Sequence, residues 1–358
     1  MTINNDLKKL LEDLVKIDST TKKNSKEIID VAADYLDRHE IEYEIQVFSD
    51  DKGKEYFNLI AERNIGSDHF ITYVGHLDVV KPDSDMQKVP RFKNNQLSCR
   101  GSADNKSGSA AAIKAFTDVK EKDLISNLRF IATTDEETGG IYGTKPIFEG
   151  LSRNINDIDI VIEPFVVNTH YGVLRLSIES SNSTSHTSEE GPNSIRNIAK
   201  AIVGLENYLI NEYTDEKGNK PIVSPTYFSE SGDIEKLGQN PGFSKVYLDV
   251  RTPPIFNPNE IYWDLEEKIK EYEGITNIQF EVSGPSLNTD PKSKIISEFE
   301  KLGYQFGLSK ASTDAKWIRG ENTIVIGPKG YDIHGSNEYV DLASVEKFYQ
   351  DLIKISTK

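Results

Sequence analysis

The sequence predicts an α/β protein: a three-layer domain on a mostly parallel, mixed sheet, interrupted by an inserted α+β domain of ferredoxin-like order. Strand and helix patterns alternate over residues 1–171 and return over 284–358, the pattern of a sheet covered on both faces. Between them, residues 172–283 read β-α-β-β-α-β. At 358 residues the chain can hold two cores, since domains cluster near about 100–150 residues.

The elements follow in order. Leu7, Leu10, Leu11, Leu14 and Val15 form a helical stripe, and a second helix is expected around Ile28 to His39. Strand-like runs come at Glu42–Phe48, Asn58–Ala61 and Phe70–Val74, then a small-residue helix from about Ser107 to Val119. Leu128–Ala132 and Ile158–Ile162 read as strands. In the insertion, Val173–Glu179 is a strand, Ser194–Ile210 a helix, Pro221–Tyr227 and Lys245–Arg251 strands, Pro258–Tyr272 a helix and Ile278–Val282 a strand. After Gly284-Pro285 come a helix near Ser293–Phe306, a strand at Thr323–Ile326 and a last helix from Asp341.

The balance of 58 acidic and 42 basic residues, a formal charge of −16, argues against nucleic acid and gives no attraction to anionic lipid. A single cysteine, Cys99, excludes an internal disulfide and fits a reducing compartment. The charged, amphipathic opening segment has no apolar h-region, and no later run has membrane length. The expected setting is the cytoplasm.

Candidate chemical groups cluster at predicted strand ends. In Val74-Gly75-His76-Leu77-Asp78-Val79, two strand residues two apart share a face, so the Asp78 carboxylate can approach the His76 ring and orient it toward a metal. Asp104, in Arg100-Gly101-Ser102-Ala103-Asp104-Asn105-Lys106-Ser107-Gly108, has two readings, a helix N-cap or a ligand. That segment lacks the glycine of a phosphate loop before Lys106-Ser107, so a nucleotide site is discounted. Asp135-Glu136-Glu137 reads as a solvated helix start or as a working pair: Glu136 and Glu137 would project oppositely at a strand end, one binding metal and the other reaching a water. Glu163 ends an apolar strand, and His334 is the only histidine of the C-terminal third. His39 and His69 sit in polar surroundings and receive no role, and His170 at the domain junction is left undecided. Together His76, Asp104, Glu137, Glu163 and His334 offer imidazole and carboxylate donors without thiolate, which suits two zinc-like ions about 3.5–4 Å apart, with cobalt or manganese as alternatives.

These motifs, in this order and spread nearly end to end, resemble the dinuclear zinc hydrolase family of acetylornithine deacetylase, succinyl-diaminopimelate desuccinylase, aminoacylase and carboxypeptidase G. The resemblance rests on Gly75-His76-Leu77-Asp78-Val79-Val80, Arg100 to Gly108, Asp135-Glu136-Glu137-Thr138-Gly139, Ile162-Glu163-Pro164 and Ile333-His334-Gly335-Ser336-Asn337-Glu338. It implies that Asp104 bridges two metals, that His76 and Glu163 complete one site and Glu137 and His334 the other, that Glu136 is the general base, and that Asp78 holds His76. It also implies that the insertion is a dimerisation (lid) domain whose His186, in Ser185-His186-Thr187-Ser188, stabilises an oxyanion in the partner subunit's site. Arg251 matches an arginine that grips the substrate carboxylate. Ser312-Thr313-Asp314 resembles a substrate loop, with Ala311 and Ala315 where glycines are common. Phe165 replaces a small polar residue, and Cys99 stands where glycine is usual. The implied activity is removal of an N-acyl group from an amino acid by a homodimer, with an exopeptidase acting on short peptides as the alternative. A non-catalytic metal- or peptide-binding protein of the same fold is the reading from a different class.

Overall fold

The computed structural model describes every residue except Met1, Thr21, Lys22, Asn24, Gly232, Asp233 and Arg319. It divides into two compact units. The first comprises Met1–Asn168, Thr289–Gly307 and Thr313–Lys358, the second Thr169–Asn288 and Leu308–Ser312.

In the first unit, strands Tyr43–Ser49, Glu55–Arg63, Asn127–Thr133, Phe70–His76, Ile158–Ile162 and Asn322–Ile326 lie side by side in that order. The first two pairings are antiparallel and the next three parallel, so the sheet is mixed. Every residue of Asn127–Thr133 is buried, and Phe70–His76 is buried beyond its first residue. Burial on both faces is what a parallel sheet between covering layers requires, and it explains the unbroken apolar runs. On one face Ile71, Tyr73, Leu128, Phe130, Ile160 and Ile162 share a core with the helices Asn5–Lys16, Lys106–Asp118 and Leu342–Ser356. The first of these starts where the Asn4 side chain accepts the amides of Asp6 and Leu7, and the last where Asp341 accepts that of Ala343.

Close approach of helix Lys106–Asp118 to the sheet depends on two glycines. A Cβ on Gly75 would stand 2.5 Å from Ser109 Oγ, and one on Gly108 would stand 2.3 Å from Ile162 Cγ2. A small four-stranded sheet, in the order Gly330–Tyr331, Tyr339–Asp341, Gln96–Ser98, Arg91–Lys93, was not expected. Strands of two or three residues carry no readable periodicity. Its pairing of Tyr339 with Ser98 and Val340 with Leu97 brings the loop after Ser98 beside the loop before Tyr339.

In the second unit, strands Ile222–Ser231, Phe243–Thr252, Gly172–Ser181 and Ile275–Gly284 form an antiparallel sheet in that order. Leu174, Leu176, Ile178, Val246, Leu248 and Val250 pack with Ile198, Ala201, Leu205 and Leu209 of helix Ser194–Glu212 and with Ile261 and Leu265 of helix Pro258–Lys268. Two helices stop earlier than expected. The first ends at Lys268 and tightens into a 3₁₀ turn over Ile269–Glu271; Lys294–Lys301 ends before Gly303, which adopts φ 89°. Among the described residues no helix is long and apolar enough to cross a membrane.

Gly108→Ala tests the helix–sheet contact. Alanine favours the helix by about 1 kcal/mol, but a methyl driven into the stiff, β-branched Ile162 costs about 1–3 kcal/mol. The expected result is a lower urea midpoint with unchanged m-value; equal or greater stability would show that the contact yields.

Candidate metal and catalytic site

Strand register sets the site. His76 pairs with Thr133, Val74 with Val161 and Ile326 with Ile162, so the carboxyl ends of the parallel strands are level. Open α/β sheets bind ligands at such ends. His76 closes its strand beside the Asp135-Glu136-Glu137 loop, and Glu163 follows Ile162 with its amide donating to the Ile326 carbonyl at 3.2 Å.

The two oxygens of Asp104 face different rings. Oδ1 lies 3.1 Å from His76 Nε2, and Oδ2 lies 3.3 Å from His334 Nε2. Glu163 Oε1 stands 3.8 Å from His76 Nε2, and Glu137 Oε2 stands 3.1 Å from His334 Nε2. Donor atoms therefore form two groups, His76–Glu136–Glu163 and Asp104–Glu137–His334, each within 4.8 Å of one another. The N-cap reading of Asp104 does not hold: the cap position of helix Lys106–Asp118 is Asn105, whose side chain makes no capping bond. Asn105 instead accepts from Ser109 Oγ and donates to the Ile162 carbonyl, tying the helix to the strand that ends at Glu163.

Glu136 and Glu137 open a 3₁₀ turn, Glu136–Thr138, that ends at Gly139 with φ 114°. Both their amides donate to the Asp78 carboxylate at 3.2 Å, while Asp78 Oδ1 lies 3.4 Å from His76 Nδ1. His76 Nδ1 also lies 3.1 Å from the Asp78 carbonyl. Asp78 thus ties the imidazole and the acidic turn to one group, a second task invisible in the His-x-Asp spacing. The indole of Trp317 donates to the Gly139 carbonyl at 2.7 Å, holding the other end of the turn.

Burial dominates the electrostatics. It pushes the Glu163 carboxyl up to about 8, with the charges of Asp104 and Glu137 adding. Glu136 is raised well above the carboxylate range by burial, with Lys316 opposing and Glu163 and Asp314 reinforcing. Burial disfavours charge on His76, but bonds to Asp104, Asp78 and Glu163 prevail and raise it. Asp104 and Glu137 together lift His334 to about 10. Packing this much negative charge out of water is unfavourable without cations.

The donor set fits a pair of divalent ions. Imidazole and carboxylate ligands at zinc distances of about 2.0–2.2 Å stand about 3.4 Å apart in a tetrahedral shell. The observed separations of 3.1, 3.3, 3.1 and 3.8 Å bracket that value.

The remaining expected residues are placed as follows. His186 is exposed, and its Nδ1 accepts from the Ser188 amide at 3.2 Å, which leaves the proton on Nε2. Arg251 is paired with Asp249, Nε to Oδ1 at 2.6 Å and Nη2 to Oδ2 at 3.3 Å. Thr313 is buried, with its hydroxyl accepting the Ala315 amide at 3.2 Å. Asp314 is buried too, bonded to Thr144 Oγ1 at 2.5 Å with Lys316 Nζ at 3.7 Å. Burial pushes the Cys99 thiol up to about 12, which makes it inert. Phe165 is half-buried.

Arg100 and Glu338, motif residues to which the sequence assigns no role, join the Asp104 and His334 loops. Glu338 Oε1 accepts the amides of Ala103 and Asp104 at 2.9 and 3.1 Å, and its Oε2 meets Arg100 Nη1 at 2.6 Å. The only sequence signal was their place in the same two segments as Asp104 and His334.

A model of the peptidase family M20/M25/M40 matches residues 72–355. The succinyl-diaminopimelate desuccinylase of Pelagibacter ubique (strain HTCC1062) is 25% identical over 342 residues, covering 86% of this chain and 88% of that protein. The M20 family metallo-carboxypeptidase Sso-CP2 from Sulfolobus solfataricus superposes with a TM-score of 0.77 at 17% identity, covering 98% of both chains. The aminopeptidase PepT from Bacillus cereus ATCC 10987 superposes with a TM-score of 0.74 at 21% identity, covering 99% of this chain and 98% of that one.

The metal-stripped protein should lose stability as pH rises. Glu163 holds its proton to about 8 when folded, against about 4.3 unfolded, so the folded chain carries the extra proton across that window. His334 does the same up to about 10, from about 6.5 unfolded. Where the folded state binds more protons, stability falls with pH. Urea midpoints of stripped protein should therefore decline from pH 5 to 9, and saturating zinc should abolish the decline; a flat profile without metal would contradict the buried-charge account.

Proposed function

Because this chain belongs to the peptidase family M20/M25/M40, we propose that it is a metal-dependent amidohydrolase that removes an N-acyl group from an amino acid. One observation carries the reading: Asp104 divides its two oxygens between His76 and His334, while half-buried Glu136 stands beside His76 and Glu163. His76, Asp104 and Glu163 would hold one divalent ion, and Asp104, Glu137 and His334 a second. Zinc suits these donors best, with cobalt or manganese as alternatives. Bound ions supply a Lewis acid for the amide carbonyl and a lowered pKa for the attacking water.

The chain's own groups do the rest. Glu136, whose burial raises its proton affinity, takes the proton of the attacking water and returns it to the leaving amine. Asp78 holds His76 from behind and fixes the backbone that carries Glu136. The β-α-β-β-α-β order of the second unit's long elements supports reading residues 172–283 as an inserted ferredoxin-like dimerisation and lid domain, inside a compact unit that extends to Thr169–Asn288 and Leu308–Ser312. Its His186, with Nε2–H available as a donor, would stabilise the oxyanion in a partner's site. Arg251 would grip the substrate carboxylate in exchange for its Asp249 partner. Thr313 and Asp314, buried and bonded within the fold, would shape the substrate loop from beneath. The acidic composition and inert cysteine support a cytoplasmic setting, and the homodimer rests on the role read for His186.

The desuccinylase relative favours the acyl-amino-acid substrate. The carboxypeptidase and aminopeptidase structures favour the alternative, an exopeptidase with the same site. Metal-stripped protein assayed with zinc or cobalt on N-acetyl and N-succinyl amino acids and on dipeptides separates them; silence on every substrate with metal bound would leave a binding role. Glu136→Gln should keep metal and lose turnover by roughly 10²–10⁴-fold. Near wild-type turnover would remove Glu136 from the role of base.

A further inference from the structure

We propose that Arg100 and Glu338 are positioning residues that lock the His334 loop to the Asp104 loop, Arg100 setting the affinity of the second of two metal sites and Glu338 holding the residue that both share. The proposal rests on the dinuclear reading of Asp104, Glu137 and His334. His334 needs outside support. Its side chain is 50% exposed, so packing does not fix the ring. Its backbone adopts φ 62°, and Asp332 adopts φ 51°, a left-handed region that side-chain-bearing residues rarely occupy.

Arg100 supplies the support. Its Nη2 donates to the carbonyls of His334 at 3.2 Å and Gly335 at 3.3 Å, while Nη1 meets Glu338 at 2.6 Å. Gln87 Nε2 donates a further hydrogen bond to the Gly335 carbonyl at 2.8 Å, and the Gln87 backbone carbonyl accepts the Arg100 amide at 2.8 Å. On the other side, Glu338 takes the amides of Ala103 and Asp104. The Arg100 and Glu338 side chains are 3% and 1% exposed, and a buried ion pair is poor evidence for stability because desolvation opposes its attraction. What this pair does achieve is geometric: one guanidinium fork and one carboxylate span two loops far apart in sequence. A lysine ammonium cannot span them, since it is a point charge without the planar fork.

The roles of the members differ, and the test uses that difference. Zinc is titrated calorimetrically into metal-stripped full-length chain, with the visible spectrum of the cobalt form as a second readout. Wild type should take two ions and His334→Ala should lose one. Arg100→Lys and Gln87→Leu act on the His334 loop; each should weaken the second ion, Arg100→Lys by about 10–100-fold, and leave the first near wild type. Glu338→Gln, which loosens the bridging Asp104 itself, should weaken both. Uniform weakening of both ions by Arg100→Lys, or none, would overturn the clamp while leaving the dinuclear reading intact. A wild type that takes up fewer than two ions would overturn that reading and the clamp with it. Should Arg100→Lys fail to fold, Gln87→Leu decides by the same criterion.

Discussion

Four carboxylates buried around two imidazoles form the constraint on which the rest of this structure depends. Glu136, Glu137, Glu163 and Asp104 crowd one partly enclosed site, and desolvation, reinforced by neighbouring carboxylates, drives Glu136, Glu137 and Glu163 toward their neutral forms. A fold tolerates such a cluster only if every member is held against repulsion and a counter-charge is at hand. The imidazoles supply part of it, and the spacing of the donor atoms suits divalent cations for the remainder.

Much of the local architecture serves that restraint. The parallel strands end level, so one sheet edge delivers His76, the acidic turn and Glu163 together. Glycines at 75 and 108 let the helix after Asp104 lie against those strands, because a methyl at either place would collide with a neighbour. Backbone amides then do work that lysines and arginines do elsewhere: those of Glu136 and Glu137 bind Asp78, and those of Ala103 and Asp104 bind Glu338. Amides carry no net charge, so they orient Asp78 and Glu338 without adding a cation beside the candidate ligands.

The second unit stands by itself, with its own core around Leu174, Leu176, Leu205 and Leu248. Its polar side chains are paired within the unit. Arg251 is held by Asp249, which Arg175 also contacts at 3.0 Å, and His186 is held in one tautomer by Ser188. In the function proposed above, discrimination between an acylated amino acid and a peptide would fall to such groups, since the amide chemistry is common to both.

The sequence by itself determined the α/β character, the order of the long elements and the candidate ligands. Runs such as Leu128–Ala132 are buried on both faces and so are apolar throughout, and strand-end acids and histidines stand out against them. Only the tertiary structure removed the N-cap reading of Asp104, because Asn105 takes the cap position while the Asp104 oxygens face the rings of residues 76 and 334, which local sequence does not reveal. It also decided that Thr313 and Asp314 turn inward, that Asp78 holds the acidic turn as well as His76, and that Arg100 and Glu338 join two motifs separated by 234 to 238 positions. Contacts made by backbone amides and carbonyls leave no mark on residue type, and strands of two or three residues are too short to show a period.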